Sequence, residues 1–353
     1  MAKRKTLPKN FEEMLTSSSI EELKAVFDKC QLDAYGGYSK RTALGFLDCP
    51  DELISWLVGQ GLDVDSADSY GGTALWERAS MGRTQQLPLL ISLGADVNAR
   101  RAGGVTPLHA AAEGGHVDAA QILIDAGADR LALTSSFGQT PLLFALGRTR
   151  NAQIPAAARI AELLLELGEP VTAQLQGEVE RIGKEFERHR ENFNPDLVAD
   201  VDAGLRRLYE LFDVAPVAPR IAYDGRSPIV VDGATWQKRH EQLWELLVPA
   251  SGSASTAQGE AIRISGRIAD EILGNGGINW DKDFKAMLAS LPGLLSRGQA
   301  LPEADLAAVQ ALAKSLRSGT ADSGQIYQLS ELVVAWVGLN PEPLELGPVS
   351  YRR

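Results

Sequence analysis

The sequence has little cysteine and no long apolar run. Its 353 residues include only Cys30 and Cys49, which excludes a disulfide framework and favours a reducing compartment, so we expect a cytoplasmic protein. No run approaches the roughly 20 apolar residues of a membrane span, so we expect no membrane partner. The basic start, residues 1–5, is not followed by the apolar run of a signal peptide, and we interpret residues 1–10 as a disordered basic tail.

The sequence also lacks an excess of positive charge. Its 35 Lys and Arg stand against 46 Asp and Glu, a formal charge of −11 at pH 7. Because a general nucleic-acid binder needs a clustered basic face, we expect no nucleic-acid partner. Residues 1–150 contain 15 basic and 18 acidic residues, whereas residues 151–353 contain 20 and 28. A basic protein is the partner that this acidity would attract, mainly to the C-terminal half.

Motifs for catalysis and for cofactor binding are missing as well. The sequence has no phosphate-binding G-x-x-x-x-G-K-[ST] loop, no G-x-S-x-G turn and no Cys/His spacing that suits zinc. Residues 279–283 carry oxygen ligands at alternating positions but lack the glycine of a calcium loop, and Asp281 is expected to cap the helix that follows. We therefore expect no metal, no cofactor and no enzymatic activity.

Threonine and glycine recur at a regular interval in the first half of the chain. Successive threonines are 31, 33 and 34 residues apart, and successive glycines are 33, 33 and 41 apart. The threonines are Thr42, Thr73, Thr106 and Thr140, and the glycines are Gly61, Gly94, Gly127 and Gly168. A period near 33 predicts repeated two-helix units stacked as a solenoid. The long last interval places extra residues at 148–155, between the two helices of the last repeat.

Residues 106–129 carry the most complete copy of the pattern, TPLHAAAEGGHVDAAQILIDAGAD. Thr106 can cap a short helix that begins at Pro107 and ends at glycine, and a second helix then ends at Gly127. This stretch resembles an ankyrin repeat. The resemblance implies an all-α solenoid over residues 11–172, with an N-terminal cap and four helix-turn-helix repeats. It also implies that His109 and His116 are hydrogen-bonding residues that steady the turns.

Beyond residue 172 the repeat pattern stops, and residues 173–353 are predicted to form an α-helical domain without an assigned family. A Pro-rich linker is expected near residues 214–231, with a small hairpin at 221–231 about Asp224 and Gly225. His189 and His240 lie in charged helical runs, where we expect solvated side chains.

One segment of this domain carries a regular charge pattern. Glu260, Arg263, Arg267 and Glu271 follow helical spacing and would form one continuous stripe of charge pairs. The first interpretation of this stripe is a salt-bridged surface or an internal polar network. The second is a binding groove, whose further residues would be Asn275, Asn279 and Trp280. A catalytic acid–base pair here is a third interpretation that nothing in the spacing requires.

The resemblance to ankyrin repeats implies that the chain binds a protein through the hairpin tips and the concave inner helices. The residues expected to contact a partner are large or charged residues at these places: Asp65, Asp68, Tyr70, Trp76, Glu77, Arg78, Arg100, Arg101, Ser135 and Phe137. Two alternatives remain for some of them. Trp76 would instead pack against the neighbouring repeat, and Arg100 and Arg101 would instead belong to a solvated loop.

These observations favour a non-enzymatic protein–protein interaction module that binds and neutralises or sequesters a protein partner. A toxin immunity protein is one concrete version, because an acidic surface suits a basic nuclease. One alternative is an enzyme with an unrecognised active site in the C-terminal domain, with the repeats selecting its substrate. Another is a two-sided structural adaptor whose halves bind different proteins.

Overall fold

The computed structural model describes residues 2–220, 223–318 and 322–351. The chain divides into two compact units. The N-terminal unit comprises Met1–Phe186 and Asn194–Val217, and the C-terminal unit comprises Glu187–Phe193 and Ala218–Arg353. The protein is mostly helical with one small sheet, which confirms the predicted fold class of a repeat solenoid with a helical domain.

The N-terminal cap contains the small sheet. Its strands are β1 (Arg4–Thr6), β2 (Cys30–Gly36) and β3 (Arg41–Thr42), and its helices are α1 (Phe11–Ser17) and α2 (Ile20–Lys29). β2 lies in the middle, parallel to β1 and antiparallel to β3. The prediction of a disordered tail is therefore wrong for residues 4–6. Pairing with β2 orders them, together with the burial of Leu7 and a hydrogen bond of 2.6 Å from Lys3 Nζ to the Phe27 carbonyl.

The repeats supply seven helices of the N-terminal unit. They are α3 (Asp51–Gly59), α4 (Ala74–Ser80), α5 (Leu87–Ser92), α6 (Pro107–Glu113), α7 (Val117–Asp125), α8 (Pro141–Leu146) and α9 (Ile154–Glu166). In the first repeat a single 3₁₀ turn, Ala43–Gly45, stands where the later repeats have their first helix.

Capping explains why the repeats share a register. Thr73, Thr106 and Thr140 each accept a hydrogen bond from the backbone N–H three residues later, as N-cap residues do. The glycines that end the second helices adopt nearly the same positive φ, from 93° to 98°, which few other residues tolerate. The extra residues of the last repeat form a 3₁₀ turn at Asn151–Gln153 and also lengthen α9 to 13 residues, against 9 in α7.

Two more helices, α10 (Ala173–His189) and α11 (Pro195–Phe212), follow the last repeat. Residues 173–186 and all of α11 belong to the N-terminal unit, so the compact unit extends beyond the end of the repeat pattern. Gly204 lets α11 approach α9 closely, since a Cβ there would lie 2.8 Å from the Pro155 Cα. The two helices cover the end of the solenoid, where the last repeat would otherwise expose an apolar face.

The C-terminal unit is a bundle of five helices in its described residues: α12 (Trp236–Leu247), α13 (Ala257–Ala269), α14 (Lys282–Leu295), α15 (Glu303–Ser315) and α16 (Ser323–Leu339). Its core includes Leu243, Ile264, Leu288, Val333 and Trp336. α13 is buried over most of its length and continues into a π-helical turn at Asp270–Gly274.

The hairpin expected at residues 221–231 is not formed in its described part. Residues 223–231 contain no strand, and Ile221 and Ala222 lie outside the described residues. Asp224 instead closes a tight turn, accepting hydrogen bonds from the backbone N–H groups of Arg226 and Ser227 and from the Ser227 hydroxyl. Ile229 donates its backbone N–H to the Pro341 carbonyl, which ties this segment to the C-terminal stretch rather than to a strand partner.

Candidate protein-binding surface

Successive hairpin tips of the solenoid are joined to each other by backbone hydrogen bonds. Ser69 donates to the Ser39 carbonyl at 2.8 Å, and Ala102 donates to the Tyr70 carbonyl at 3.0 Å. Ser135 donates to the Gly103 carbonyl at 2.8 Å, in the same relation one repeat later. The tips therefore form one continuous row rather than separate flexible loops.

Three of the four hairpin tips have an exposed aromatic side chain. Tyr38 is 93 % exposed, Tyr70 is 44 % exposed and Phe137 is 77 % exposed. Tyr70 and Phe137 were predicted from the sequence as contact residues, whereas Tyr38 was not. The spacing of the repeats could have identified Tyr38, because it lies 32 residues before Tyr70, close to the period of the repeat.

Arg101 contacts two aromatic side chains in the middle of this row of tips. Its guanidinium carbon lies 4.2 Å from the centre of the Trp76 ring and 5.7 Å from that of Tyr70. Cation–π contacts at such distances hold the three side chains together. Trp76 is half-buried, and its indole N–H is buried with no hydrogen-bond partner among the described residues. Unsatisfied groups of this kind are rare in native proteins, which singles out this position.

Acidic residues border the arginine and the aromatic rings. Burial raises the pKa of Glu77, and Asp68 raises it further, while the cations Arg41 and Arg101 act in the opposite direction. The Asp68 carboxylate accepts the backbone N–H groups of Tyr70 and Gly72, both at 2.8 Å, and so shapes the turn on which Tyr70 stands. Asp68 therefore has a structural role in addition to its charge.

We call Tyr38, Tyr70, Trp76, Arg101 and Phe137 the tip surface. Three further predicted contact residues flank it and also brace the hairpins. Burial raises the pKa of Asp65, which accepts the Asp96 N–H at 3.0 Å, and the exposed Arg100 donates to the Leu133 carbonyl at 2.9 Å. Ser135 is exposed beside Gly104, where a Cβ would lie 2.4 Å from the serine hydroxyl.

Arg78 does not belong to this surface, although the sequence analysis placed it there. Its side chain is 0 % exposed. The guanidinium donates to the carbonyls of Leu44, Phe46 and Ala74 and to the Gln86 side chain. The first repeat has only a 3₁₀ turn where a helix would stand. Arg78 donates to the Leu44 carbonyl of this turn and, together with the Cys49 N–H, to the Phe46 carbonyl that follows it.

His109 has the structural role that the ankyrin resemblance implied. Its side chain is fully buried, with Nδ1 at 2.8 Å from the Thr106 hydroxyl and Nε2 at 3.0 Å from the Gln139 carbonyl of the next repeat. Burial lowers the pKa of His109, which favours the neutral ring that such a hydrogen-bond bridge requires.

The residues of the second predicted groove lie in separate environments. Glu260 and Arg263 are buried and form a bidentate ion pair, with N–O distances of 2.6 and 2.8 Å. Tyr351 donates to the same carboxylate at 2.8 Å. Burial acts to raise the pKa of Glu260, but the hydrogen bonds from Arg263 and the Ala254 N–H outweigh it and leave the pKa lowered. This pair is an internal polar network.

Glu271 lies beyond the point where α13 becomes π-helical, so the charge stripe does not continue to it as on a regular helix. Its carboxylate accepts the Asn279 N–H at 2.6 Å and the side-chain amide of Asn275 at 3.1 Å. Trp280 donates its indole N–H to the Arg317 carbonyl and stacks on Phe284, with ring centres 5.3 Å apart. These residues fix the loop between α13 and α14, whereas Arg263 and Arg267 line an open cleft.

Over residues 2–220, 223–318 and 322–351, no helix has the length and apolar character needed to cross a bilayer. The same residues hold no cluster of three or more His, Cys, Asp or Glu side chains placed to bind a metal ion.

Comparison with known families agrees with the repeat register. Residues 42–132 and residues 87–174 each match the family model described as ankyrin repeats (3 copies). No curated protein matches the chain. Residues 42–174 of this chain are therefore ankyrin repeats, and they form a protein–protein interaction module.

Proposed function

We propose that this chain is a non-enzymatic binding protein that sequesters one protein partner on the tip surface. The observation that carries the proposal is the Arg101 side chain stacked on Trp76 and Tyr70 in the middle of a continuous row of tips. Tyrosine, tryptophan and arginine are the residue types that supply most of the binding energy in protein interfaces.

The rigidity of the row supports the same proposal. Hydrogen bonds between neighbouring tips hold Tyr70 and the residues beside it in place before a partner arrives. Association also costs about 0.5–1.5 kcal/mol for each side chain that becomes fixed. The stacking of Arg101 on Trp76 and Tyr70 already restrains these side chains, so this part of the cost is smaller for them.

The proposed partner is a basic protein, and the concrete version is a toxin for which this chain acts as an immunity protein in the cytoplasm. The acidity of both halves supports this version, since residues 1–150 carry a net charge of −3 (15 basic, 18 acidic) and residues 151–353 one of −8 (20 basic, 28 acidic). A negative protein accelerates the association of a cationic partner. Complex formation should accordingly slow as the salt concentration rises, since salt screens charges that are more than about 8–10 Å apart.

The experiment is affinity purification of the tagged full chain from its native extract, followed by mass spectrometry and a stoichiometry measurement. The proposal expects one partner at a fixed ratio to the chain. The double variant Tyr70→Ala with Phe137→Ala should reduce its recovery at least about tenfold, which corresponds to 1.4 kcal/mol.

Met81→Ala is the matched control. Met81 is also a large exposed apolar residue, 56 % exposed, but it follows α4 at the end away from the hairpin. The control should recover the partner as the unaltered chain does. Recovery of no stoichiometric protein would overturn the proposal of a single partner, and equal recovery by both variants would overturn the assignment of the tip surface.

A further inference from the structure

A cleft in the C-terminal unit has no role in the proposed function. It has a volume of about 600 Å³ and lies between α12 and α13, with residues 248–252 along one side. Arg188 and His189, from the segment that belongs to the C-terminal unit, complete its lining. Sites for small molecules commonly have volumes of about 300–1,000 Å³, so the cleft has room for one.

One wall of the cleft is an aromatic ring in a fixed position. Trp244 lies against Gly266 of α13, where a Cβ would be 2.3 Å from the ring. The ring of His240 stacks on it, with centres 6.3 Å apart and an angle of 23° between the planes. Trp244 is only partly buried, so the lining offers a flat apolar surface to a ligand.

The charged groups of the lining are three arginines and one carboxylate, Asp270. Arg263 is 2 % exposed and is held by Glu260, while Arg188 forms an ion pair with Glu245 and lies 5.8 Å from the centre of the Trp244 ring. Arg267, one helical turn after Arg263, is partly exposed beside the cleft.

His240 adds no positive charge to this wall at neutral pH. Burial lowers the pKa of His240 to about 4. Its Nε2 lies 3.0 Å from the hydroxyl of the buried Ser265, which fixes the ring. Besides Arg263, the cleft is lined by Arg188, which is paired with Glu245, and by Arg267.

The helix that carries Arg267 is irregular at this place. α13 ends at Ala269, and the π-helical turn begins at Asp270, and both residues line the cleft. Single π-helical turns are rare and occur frequently at functional sites, because they redirect side chains at a cost in regular helical geometry.

We infer that this cleft binds a small organic anion that carries a planar ring. The ring stacks on Trp244, and the anionic group accepts hydrogen bonds from the guanidinium groups of Arg267 and Arg188. Guanidinium groups suit this task because their planar donors match carboxylate and phosphate oxygens. The site is independent of the tip surface.

Isothermal titration calorimetry on the full chain tests the inference with four probes. AMP and 1-naphthoate combine a ring with an anionic group, whereas adenosine and inorganic phosphate each offer one part alone. At least one of the two ring-bearing anions should bind with a Kd below about 1 mM, and tighter than either part alone by about tenfold or more. The inference would be overturned if neither AMP nor 1-naphthoate bound at about 10 mM. It would also be overturned if inorganic phosphate bound as tightly as these two anions do.

Arg267→Gln should weaken this binding at least about tenfold. Arg226→Gln removes one positive charge from an exposed arginine of the same unit outside the cleft, and it should leave the affinity unchanged. Equal affinities of the two variants would contradict the assignment of Arg267.

Fluorine NMR of the chain labelled with 5-fluorotryptophan provides a test that does not depend on the folding of Arg267→Gln. Trp244→Phe identifies the resonance of Trp244 among the six tryptophans. This resonance should shift on titration with the binding anion, while that of the core residue Trp336, which is 0 % exposed, should stay in place. An unmoved Trp244 resonance at saturation would overturn the site.

Discussion

Arg78 donates hydrogen bonds from the interior of the second repeat to carbonyls of the first. Burial lowers the pKa of Arg78, but an arginine side chain stays protonated in proteins, so its charge is kept inside by these bonds. A charged residue on a short amphipathic helix is normally assigned to the surface, and the sequence contains no signal that the preceding repeat lacks a full first helix. For this reason the burial of Arg78 could not be predicted.

Arg78→Met should lower the free energy of unfolding by about 3 kcal/mol, because it removes a buried charged donor from the carbonyls of Leu44 and Phe46 and from the Gln86 side chain. Arg83→Met, an exposed position in the same repeat, is the control and should change it by less than about 0.5 kcal/mol. Urea denaturation at pH 7 measures both values. Equal stabilities of the two variants would contradict the role given to Arg78.

Glu169 stands where the two preceding repeats have Ala95 and Ala128, directly after the glycine that ends the second helix. The Thr140 hydroxyl donates to one of its oxygens at 2.6 Å, and the other oxygen is buried without a partner among the described residues. Burial raises the pKa of Glu169, while the bond from Thr140 and the charge of Arg130 oppose the shift. The folded state therefore favours the protonated carboxyl.

The sign of the pH dependence follows from this shift. The stabilisation by the protonated carboxyl is complete below the unfolded pKa of about 4.3, and it is lost as the pH rises through the folded pKa. Glu169→Gln keeps an acceptor for Thr140 without a charge, so it should raise the free energy of unfolding at pH 7 by about 1 kcal/mol. The gain should disappear near pH 4.

Urea titrations of the two proteins between pH 4 and pH 7 measure this difference. Glu166→Gln, at an exposed position of α9, is the control for the loss of one negative charge. The burial of a carboxyl with a raised pKa at Glu169 would be refuted if the gain in the free energy of unfolding stayed constant across the pH range. An equal gain in Glu166→Gln would refute it as well.

At the scale of elements, the repeat helices and the helical character of the C-terminal domain were predictable, whereas β1 and the π-helical turn were not. Thr106, Pro107 and Gly127 mark helix boundaries through local capping chemistry, and the same residue types recur in the other repeats. β1 is ordered by pairing with a strand more than 20 residues away, and no local pattern announces such a partner. The π-helical turn at Asp270–Gly274 was likewise not predicted from the sequence.

The packing of α11 on α9 is an element-scale feature with a direct test. A methyl group at Gly204 would meet the backbone of Pro155 and Ile154, which cannot rotate away, so Gly204→Ala should destabilise the protein by about 1–3 kcal/mol. Gly177 in α10 has nothing within 4 Å of its Cβ position, so Gly177→Ala should stabilise by about 0.5–1 kcal/mol. Thermal unfolding followed by circular dichroism measures both changes. If both variants changed the stability in the same direction, the close approach of α11 to α9 at Gly204 would be contradicted.

At the scale of the whole molecule, the chain combines an ankyrin solenoid with a separate helical unit. Much of the candidate tip surface was predictable, because Tyr70, Trp76 and Arg101 follow from the register of the repeats. Tyr38 was missed because the first repeat departs from the pattern, and Arg78 was included because its burial depends on that departure. The cleft of the C-terminal unit was not predictable, since Arg188, Trp244 and Arg267 are distant in sequence and meet only through the helix packing.

Site-specific photo-crosslinking tests the central claim, binding of a protein partner at the tip surface, most directly. Benzoylphenylalanine is placed in turn at positions 70, 137 and 81 of the full chain, and each protein is irradiated in native extract. The account predicts one and the same crosslinked partner at positions 70 and 137 and none at position 81. Crosslinks to that partner at position 81 with none at positions 70 and 137 would contradict it.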